Sequence, residues 1–409
     1  MAVVNRPRPL TGVRVVDFTW IVAGPQATRI LADLGADVIR VENESHLDSL
    51  RSSVLVDDSN PSVNQSGMFN NFNRNKRGIT ANLHHPRARE LVEQLIRESD
   101  IVTENFSPGA FARMGFSWDR LRELNPNIIY LSISGYGHTG RDSSYLTWGP
   151  TAQAVSGLTY ISGLPDQPPA GWGYSYLDHS AGYYGAIALL LALRRRNLVD
   201  GPQRLDLSQV EIGMVMCGVS MLDTQVNGRQ SQRIGNRSQH PSLAPHGAYR
   251  CAGDDRWIAI TVENENQWIA LCEELTATEL LSDHRFASLA TRITSQDELD
   301  DAIEVHTRLR EPRELMYALQ AKGVPAGLAQ TTQDKMEQDP QLDMRGFYRR
   351  APTAEVGDHE FEGLPFHYRQ LGWDISHGAP ALGEHIDEVF TALGCTPEEI
   401  TTLRAEAAI

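Results

Sequence analysis

The chain has 409 residues, 41% of them hydrophobic, and a net charge of −15, enough apolar material for one large or two ordinary globular domains. That negative balance argues against a nucleic-acid partner and requires any phosphate-bearing ligand to be met by a local group of basic residues. No apolar run approaches the roughly 18 residues of a membrane helix, the N-terminal stretch lacks the apolar core of a signal peptide, and the four cysteines are widely scattered, so a reducing cytoplasm is the expected compartment.

In chain order, the first half alternates β-branched runs with helical patterns. Val13–Phe18 reads as a strand and Pro25–Leu34 as a helix; Asp37–Val41 is a strand, Pro86–Ser99 a helix, Ile101–Thr103 a strand. Short helices at Ala110–Arg113 and Trp118–Leu124 precede a strand at Ile128–Ser132. Such alternation predicts right-handed βαβ units and a parallel sheet, an α/β fold. Next comes Gly171-Trp-Gly-Tyr-Ser-Tyr-Leu-Asp-His-Ser-Ala-Gly-Tyr-Tyr-Gly185, whose one carboxylate is Asp178. Prolines and glycines before it forbid regular helix, whereas Ala181–Leu193 is apolar on every face and reads as a buried helix ending at Arg194–Arg196. Asp178 therefore sits where a loop meets a helix N-terminus, a place for either a helix cap or a carboxylate nucleophile. A strand at Gln203–Ser208 and a helix from Gln209 towards Gln225 follow, ended by Asn227-Gly228.

Polar residues rich in Gly, Pro, Asn and His then mark a boundary, with a strand at Trp257–Thr261 and helices at Glu263–Glu274 and Gln296–Gly323 beyond it. The expected organisation is a large domain from residues 1–228 and 324–409, with a smaller α+β domain at 229–323 inserted; Val324-Pro-Ala-Gly327 marks the return and Glu384–Leu393 is a last helix.

Several chemistries fall away. Gly135-Tyr-Gly-His-Thr-Gly140 spells the dinucleotide fingerprint, but Arg141–Pro150 after it is loop, where a helix must open to receive a pyrophosphate. The histidines show no metal-ligand spacing, so no metal is expected, and neither Gly-x-Ser-x-Gly nor a P-loop occurs. What remains is a set of loops at the C-terminal ends of strands, where open α/β sheets bind ligands. Trp20-Ile-Val-Ala-Gly-Pro25 opens a helix with free N–H groups; Glu104-Asn-Phe-Ser-Pro-Gly109 opens another, with Arg113 one turn in; and Asn73-Arg-Asn-Lys-Arg-Gly78 concentrates three positive charges. Each alone reads as a solvated turn, and together they suit an anionic nucleotide.

At these residues the sequence resembles the class III CoA-transferase family (CaiB/BaiF type), which includes formyl-CoA:oxalate CoA-transferases and, as cousins, the α-methylacyl-CoA racemases. Its markers are Pro9-Leu-Thr-Gly-Val-Arg-Val-Val-Asp17, Ala23-Gly-Pro25, Leu34-Gly-Ala-Asp-Val-Ile-Arg-Val-Glu42, Asn73-Arg-Asn-Lys-Arg77, Glu104-Asn-Phe-Ser-Pro-Gly109, Leu124-Asn-Pro126, Ser134-Gly-Tyr-Gly137, Gly323-Val-Pro325 and Leu382-Gly-Glu-His385. The resemblance implies a Rossmann-like large domain, a small domain and an interlocked homodimer. It implies coenzyme A or its acyl ester as substrate, with no permanent cofactor, and a free carboxylic acid as acceptor.

Asp178 falls where the family carries its catalytic aspartate. CoA contacts correspond to Ile21, Val22, Ala23, Ala81, Asn82, Leu83, His84, Asn105, Phe106, Ser107 and Arg113. Two positions depart from the family: its polar residue in the first loop is Val22 here, and a basic residue after the second strand is Asn43, leaving Arg40 to compensate if it faces the ligand. Trp20, Trp148 and Tyr174 are expected at the substrate pocket, and the loops Ser134–Gly137 and Gly235–Gly247, with His240 and His246, as sources of oxyanion donors. Racemases of this kind place a proton-carrying histidine where this chain has Trp148, and Trp cannot shuttle a proton at neutral pH. That leaves transfer of CoA between acids through an aspartyl intermediate as the implied activity, with acyl-CoA racemisation or intramolecular isomerisation as the alternative, His138 and His179 lying nearby in sequence.

Overall fold

Six strands pair, all in parallel, into one sheet in a computed structural model that describes residues 7–53, 61–239 and 241–409. They are β1 (Arg14–Asp17), β2 (Asp37–Glu42), β3 (Arg77–Thr80), β4 (Ile101–Glu104), β5 (Ile129–Ser134) and β6 (Gln203–Ser208), in the order β3-β2-β1-β4-β5-β6. Parallel strands covered on both faces must be apolar along their length. Val15, Val16, Val38, Ile39, Ile101, Val102 and Leu131 are accordingly all buried at 1% exposure or less. The strand order reverses between β1 and β4, with Val16 opposite both Ile39 and Val102. The crevice beyond the carboxyl ends of those two strands is where such sheets bind ligands.

The helix Ala23–Asp33 follows β1 and buries every residue. It packs against the long helix Tyr176–Arg196, and two glycines of the latter explain how closely. A Cβ on Gly182 would lie 2.2 Å from Gln26 Cγ, and one on Gly185 3.2 Å from the Ala27 Cβ. The glycines after Asp178 are therefore a helix-packing surface, whereas a Cβ on Gly171 or Gly173 before it would meet nothing within 4 Å.

The chain divides into two compact units: the described residues of Met1–Thr159, Gly171–Arg229 and Gln341–Ile409 form the first, and those of Tyr160–Ala170 and Gln230–Pro340 the second. The second has a three-stranded antiparallel sheet of His246–Arg250, Trp257–Thr261 and Ala326–Leu328. Because Ala326–Leu328 pairs with Trp257–Thr261, the return to the first unit falls after Pro340 and not at Val324. The single helix expected over Gln296–Gly323 is two, Gln296–Thr307 and Pro312–Ala321, since Pro312 cannot donate to a preceding turn and starts a new one.

The basic stretch Asn73–Gly78 is neither a solvated turn nor an open anion site. It leads into β3, and its charges turn inward. Arg74 bonds Asp33 at 2.7 Å and Lys76 bonds Asp17 at 2.9 Å, all four buried, while Arg77 bonds Asp37. Burial alone would raise the Asp17 carboxyl, but the Lys76 and Arg40 cations outweigh it and bring it down to about 2. Removing one member of such a pair leaves the other as an uncompensated buried charge, so this network holds β1, β3 and the Ala23–Asp33 helix in one arrangement beneath the ligand loops.

Candidate active site

Asp17, the last residue of β1, accepts the Thr19 N–H and hydroxyl and so turns the chain sharply at the strand's end. The loop that follows puts Ile21 at φ 61°, left-handed backbone that a β-branched residue adopts only when its surroundings impose it. Here the surroundings are specific: the Ile21 N–H donates to Asp48 Oδ2 at 3.0 Å, and Asn105 clamps Trp20, accepting its N–H at 2.7 Å and donating to its carbonyl at 2.9 Å. The clamp ties the loop after β1 to the loop after β4. Glu104 sets the next residue by accepting the Phe106 N–H at 2.7 Å; burial pushes this carboxyl up to about 7 against a hydrogen bond from the Tyr130 hydroxyl.

Two clefts open along these loops. One, of about 650 Å³, is lined by Ile21, Val22, Ala23, Asn105, Phe106, Ser107, Ser134, Gly135, Tyr145, Trp148, Gly149, Asp178 and Gln209, among others. The other, of about 580 Å³ and mainly apolar, is lined by Trp20, Ala81, Leu83, His84 and Phe106 together with Phe18, Val41, Asn43, His46 and Met114. Both volumes include space open to solvent, and Phe106 borders both.

Asp178 is the carboxylate of the first cleft. It lies in the first turn of the Tyr176–Arg196 helix, whose cap position is Ser175; Tyr174 and Ser175 both have positive φ. The aspartate is thus the third residue of the helix and is not its cap residue. Gln209 donates its side-chain amide to Asp178 Oδ1. On the other oxygen's side stands Gly149, where a Cβ would come within 2.6 Å of Oδ2. Burial pushes the Asp178 carboxyl up, and hydrogen bonds from Gln209 and Ser175 pull it back down.

Four of the residues expected at the site stand outside both clefts. Arg40 is fully buried and committed, bonding Asp48 Oδ2 and the Thr19 carbonyl at 2.7 Å each and Asn73 at 3.1 Å. Asn82 reaches the chain's C-terminal segment, its backbone N–H donating to Ala408 at 2.8 Å, and its side chain accepts the His84 N–H. Arg113 is exposed. Tyr174 is exposed and stacks on His179 at 5.3 Å. His138 packs towards Glu104 and Asp206, and His179 between Phe72 and Tyr174, so neither lines the Asp178 cleft. Gly235–Gly247 belongs to the second unit, and His240 lies outside the described residues.

Sequence reading missed Gln209 and Gly149. A glutamine after a strand has no distinguishing neighbours, and only the pairing of β5 with β6, Ser134 opposite Ser208, brings it to Asp178. Gly149-Pro150 did carry a signal, a helix start with proline in its first turn.

A doubly wound parallel sheet with a half-buried carboxylate in a cleft at its topological switch point defines an α/β enzyme that works on a small-molecule ligand. The chain belongs to CoA-transferase family III, whose model it matches over residues 10–386, and is accordingly an enzyme that exchanges coenzyme A between acyl thioesters and carboxylates. It is 32% identical to a succinate–glutarate CoA-transferase of Agrobacterium fabrum, covering 95% of this chain and 96% of that protein. It is 31% identical to a formyl-CoA:oxalate CoA-transferase of Streptomyces coelicolor over 98% and 99% of the two chains. Its fold matches that of a CaiB/BaiF family protein from Brucella suis, with a TM-score of 0.87 and 30% identity over 95% of this chain and all of the other.

Proposed function

We propose that this protein moves coenzyme A from an acyl-CoA thioester to a free carboxylic acid through covalent intermediates on Asp178. The observation that carries this reading is the Asp178 carboxylate, half-buried, pushed up by its partial burial and facing a cleft lined by the β1 and β4 loops. A carboxylate oxygen attacks the thioester carbon, releasing CoA thiolate and leaving an acyl–aspartyl anhydride. The thiolate then attacks the aspartyl carbon and frees the donor's acid, leaving an enzyme thioester; the acceptor acid reverses both steps. The energy of the thioester is conserved only if water stays away from the anhydride, a role for Trp148, which lines the cleft.

The CoA chain runs from the first cleft past Phe106 into the second, where Trp20, Leu83 and Met114 offer a flat apolar berth for a heteroaromatic base. Contacts come from Ile21–Ala23, Ala81–His84 and Asn105–Ser107, and exposed Arg113 meets phosphate. Arg40 acts from beneath, holding Asp48, which in turn accepts the Ile21 N–H. No resident cofactor is needed. Racemisation lacks a proton carrier, since no imidazole is among the residues lining the Asp178 cleft. The setting is a reducing cytoplasm, in keeping with four cysteines that are all free and buried. A second copy of the chain covers the exposed apolar face of the helices Tyr176–Arg196, Gln209–Met216 and Gly218–Asn227, forming a homodimer.

An exchange assay tests the chemistry. With succinyl-CoA, formyl-CoA and other esters as donors and isotopically labelled free acids as acceptors, label enters the CoA ester with wild type and not with Asp178→Asn. Deuterium uptake from D₂O at the ester's α-carbon without any acceptor acid would instead establish an isomerase.

A further inference from the structure

Gln209 is the first residue of the helix Gln209–Met216, directly after β6, and Ser208 caps that helix by accepting the Glu211 N–H at 3.2 Å. Both ends of the residue's backbone are thus fixed by regular structure at the edge of the sheet. Its side chain is 6% exposed and gives its amide N–H to Asp178 Oδ1. The two carboxylate oxygens are thereby made unequal. Oδ1 holds the Gln209 amide, Oδ2 lies beside Gly149, whose missing side chain leaves it room, and the Ser175 side chain also bonds the carboxylate.

We propose that the Gln209 side-chain amide is the oxyanion donor for every tetrahedral intermediate formed at the carboxyl carbon of Asp178. The assignment rests on Asp178 being the nucleophile. Oδ2 attacks the thioester carbon, the carbon–sulfur bond breaks and its electron pair leaves with the thiolate, and Oδ1 becomes the carbonyl oxygen of the anhydride. When the thiolate adds to Cγ, the Cγ–Oδ1 π pair moves onto Oδ1, and the negative charge appears at the atom that already holds the amide N–H. Collapse breaks Cγ–Oδ2 and releases the donor's carboxylate, leaving Cγ as a thioester. Attack of the acceptor carboxylate on that thioester puts charge on Oδ1 again. A neutral carbonyl accepts this hydrogen bond weakly and an oxyanion strongly, so the donor stabilises the transition states more than the covalent ground states. The same bond favours ionised Asp178 in the free enzyme against the cost of burial.

Gln209→Leu tests this by rapid quench and peptide mass. The expected result is a loss of about 10²–10³ in kcat and, in a single turnover with donor and no acceptor acid, an adduct on Asp178 that is shifted at early times from enzyme thioester towards acyl anhydride, because thiolate attack on Cγ is slowed. A merely structural role would lower the total without shifting that ratio. Gln209→Glu is the second variant: its carboxyl can donate only when protonated, so its activity relative to wild type rises as pH falls. An unchanged adduct ratio in Gln209→Leu, or a Gln209→Glu profile parallel to wild type, overturns the proposal while an inactive Asp178→Asn leaves the nucleophile standing. Full exchange by Asp178→Asn would remove the nucleophile itself.

Discussion

At the scale of single residues, the proposed mechanism sets two opposed requirements on Asp178: shelter from water for an anhydride, and an ionised carboxylate for attack. Burial raises its carboxyl and the Gln209 amide opposes that rise, so the pair and not the aspartate alone sets the acid limb of activity. Gly149 tests how tightly the carboxylate must be held. Its φ is not in the left-handed region, so alanine meets no strain of that kind, and the nearest atoms a Cβ meets are Asp178 Oδ2 and Cγ, at 2.6 and 3.2 Å, and the Ser175 Cα at 3.2 Å. Gly149→Ala should lose about 100-fold in kcat, the scale expected for misplacing a reacting group by an ångström, with only a small drop in melting temperature; wild-type turnover in this variant would show that Oδ2 needs no such room. The place of Asp178 at the start of a helix was legible in the sequence, because the prolines and glycines before it and the apolar run after it mark a loop–helix junction. Gln209 was not, because its meaning lies in a partner 31 positions away.

At the scale of elements, five of the six sheet strands and several of the helices between them follow from local pattern, whereas the short helices Gly67–Asn73 and Gly149–Val155 do not. β3 does not: Arg77–Thr80 is four residues long and opens with an arginine, behind Arg74 and Lys76. Those cations are buried only because Asp33 and Asp17 lie 41 and 59 positions earlier in the chain, which no window of sequence contains. The helix Gly218–Asn227 poses the complementary case. None of its residues is buried, yet Val219, Leu222 and Val226 are apolar at helical spacing and 76%, 60% and 75% exposed, and such a stripe is a contact surface when it is not a core one. Sedimentation should find wild type as a dimer and the double variant Leu222→Glu, Val226→Glu shifted to monomer at the same concentration. A monomeric wild type would show that this face has no self-partner.

At the scale of the whole molecule, the order β3-β2-β1-β4-β5-β6 brings the loops after β1 and β4 together, and nearly everything attributed to the site follows from that adjacency. The Asn105 clamp on Trp20, the strained Ile21 and the two clefts meeting at Phe106 are products of one crossing in the sheet. The most direct measurement is peptide mass analysis of enzyme quenched with a competent acyl-CoA donor and no acceptor, with and without hydroxylamine. We expect a CoA or acyl adduct on Asp178, converted by hydroxylamine to the aspartyl hydroxamate and missing from Asp178→Asn. Efficient CoA exchange by an enzyme whose Asp178 peptide never gains mass would contradict the covalent mechanism.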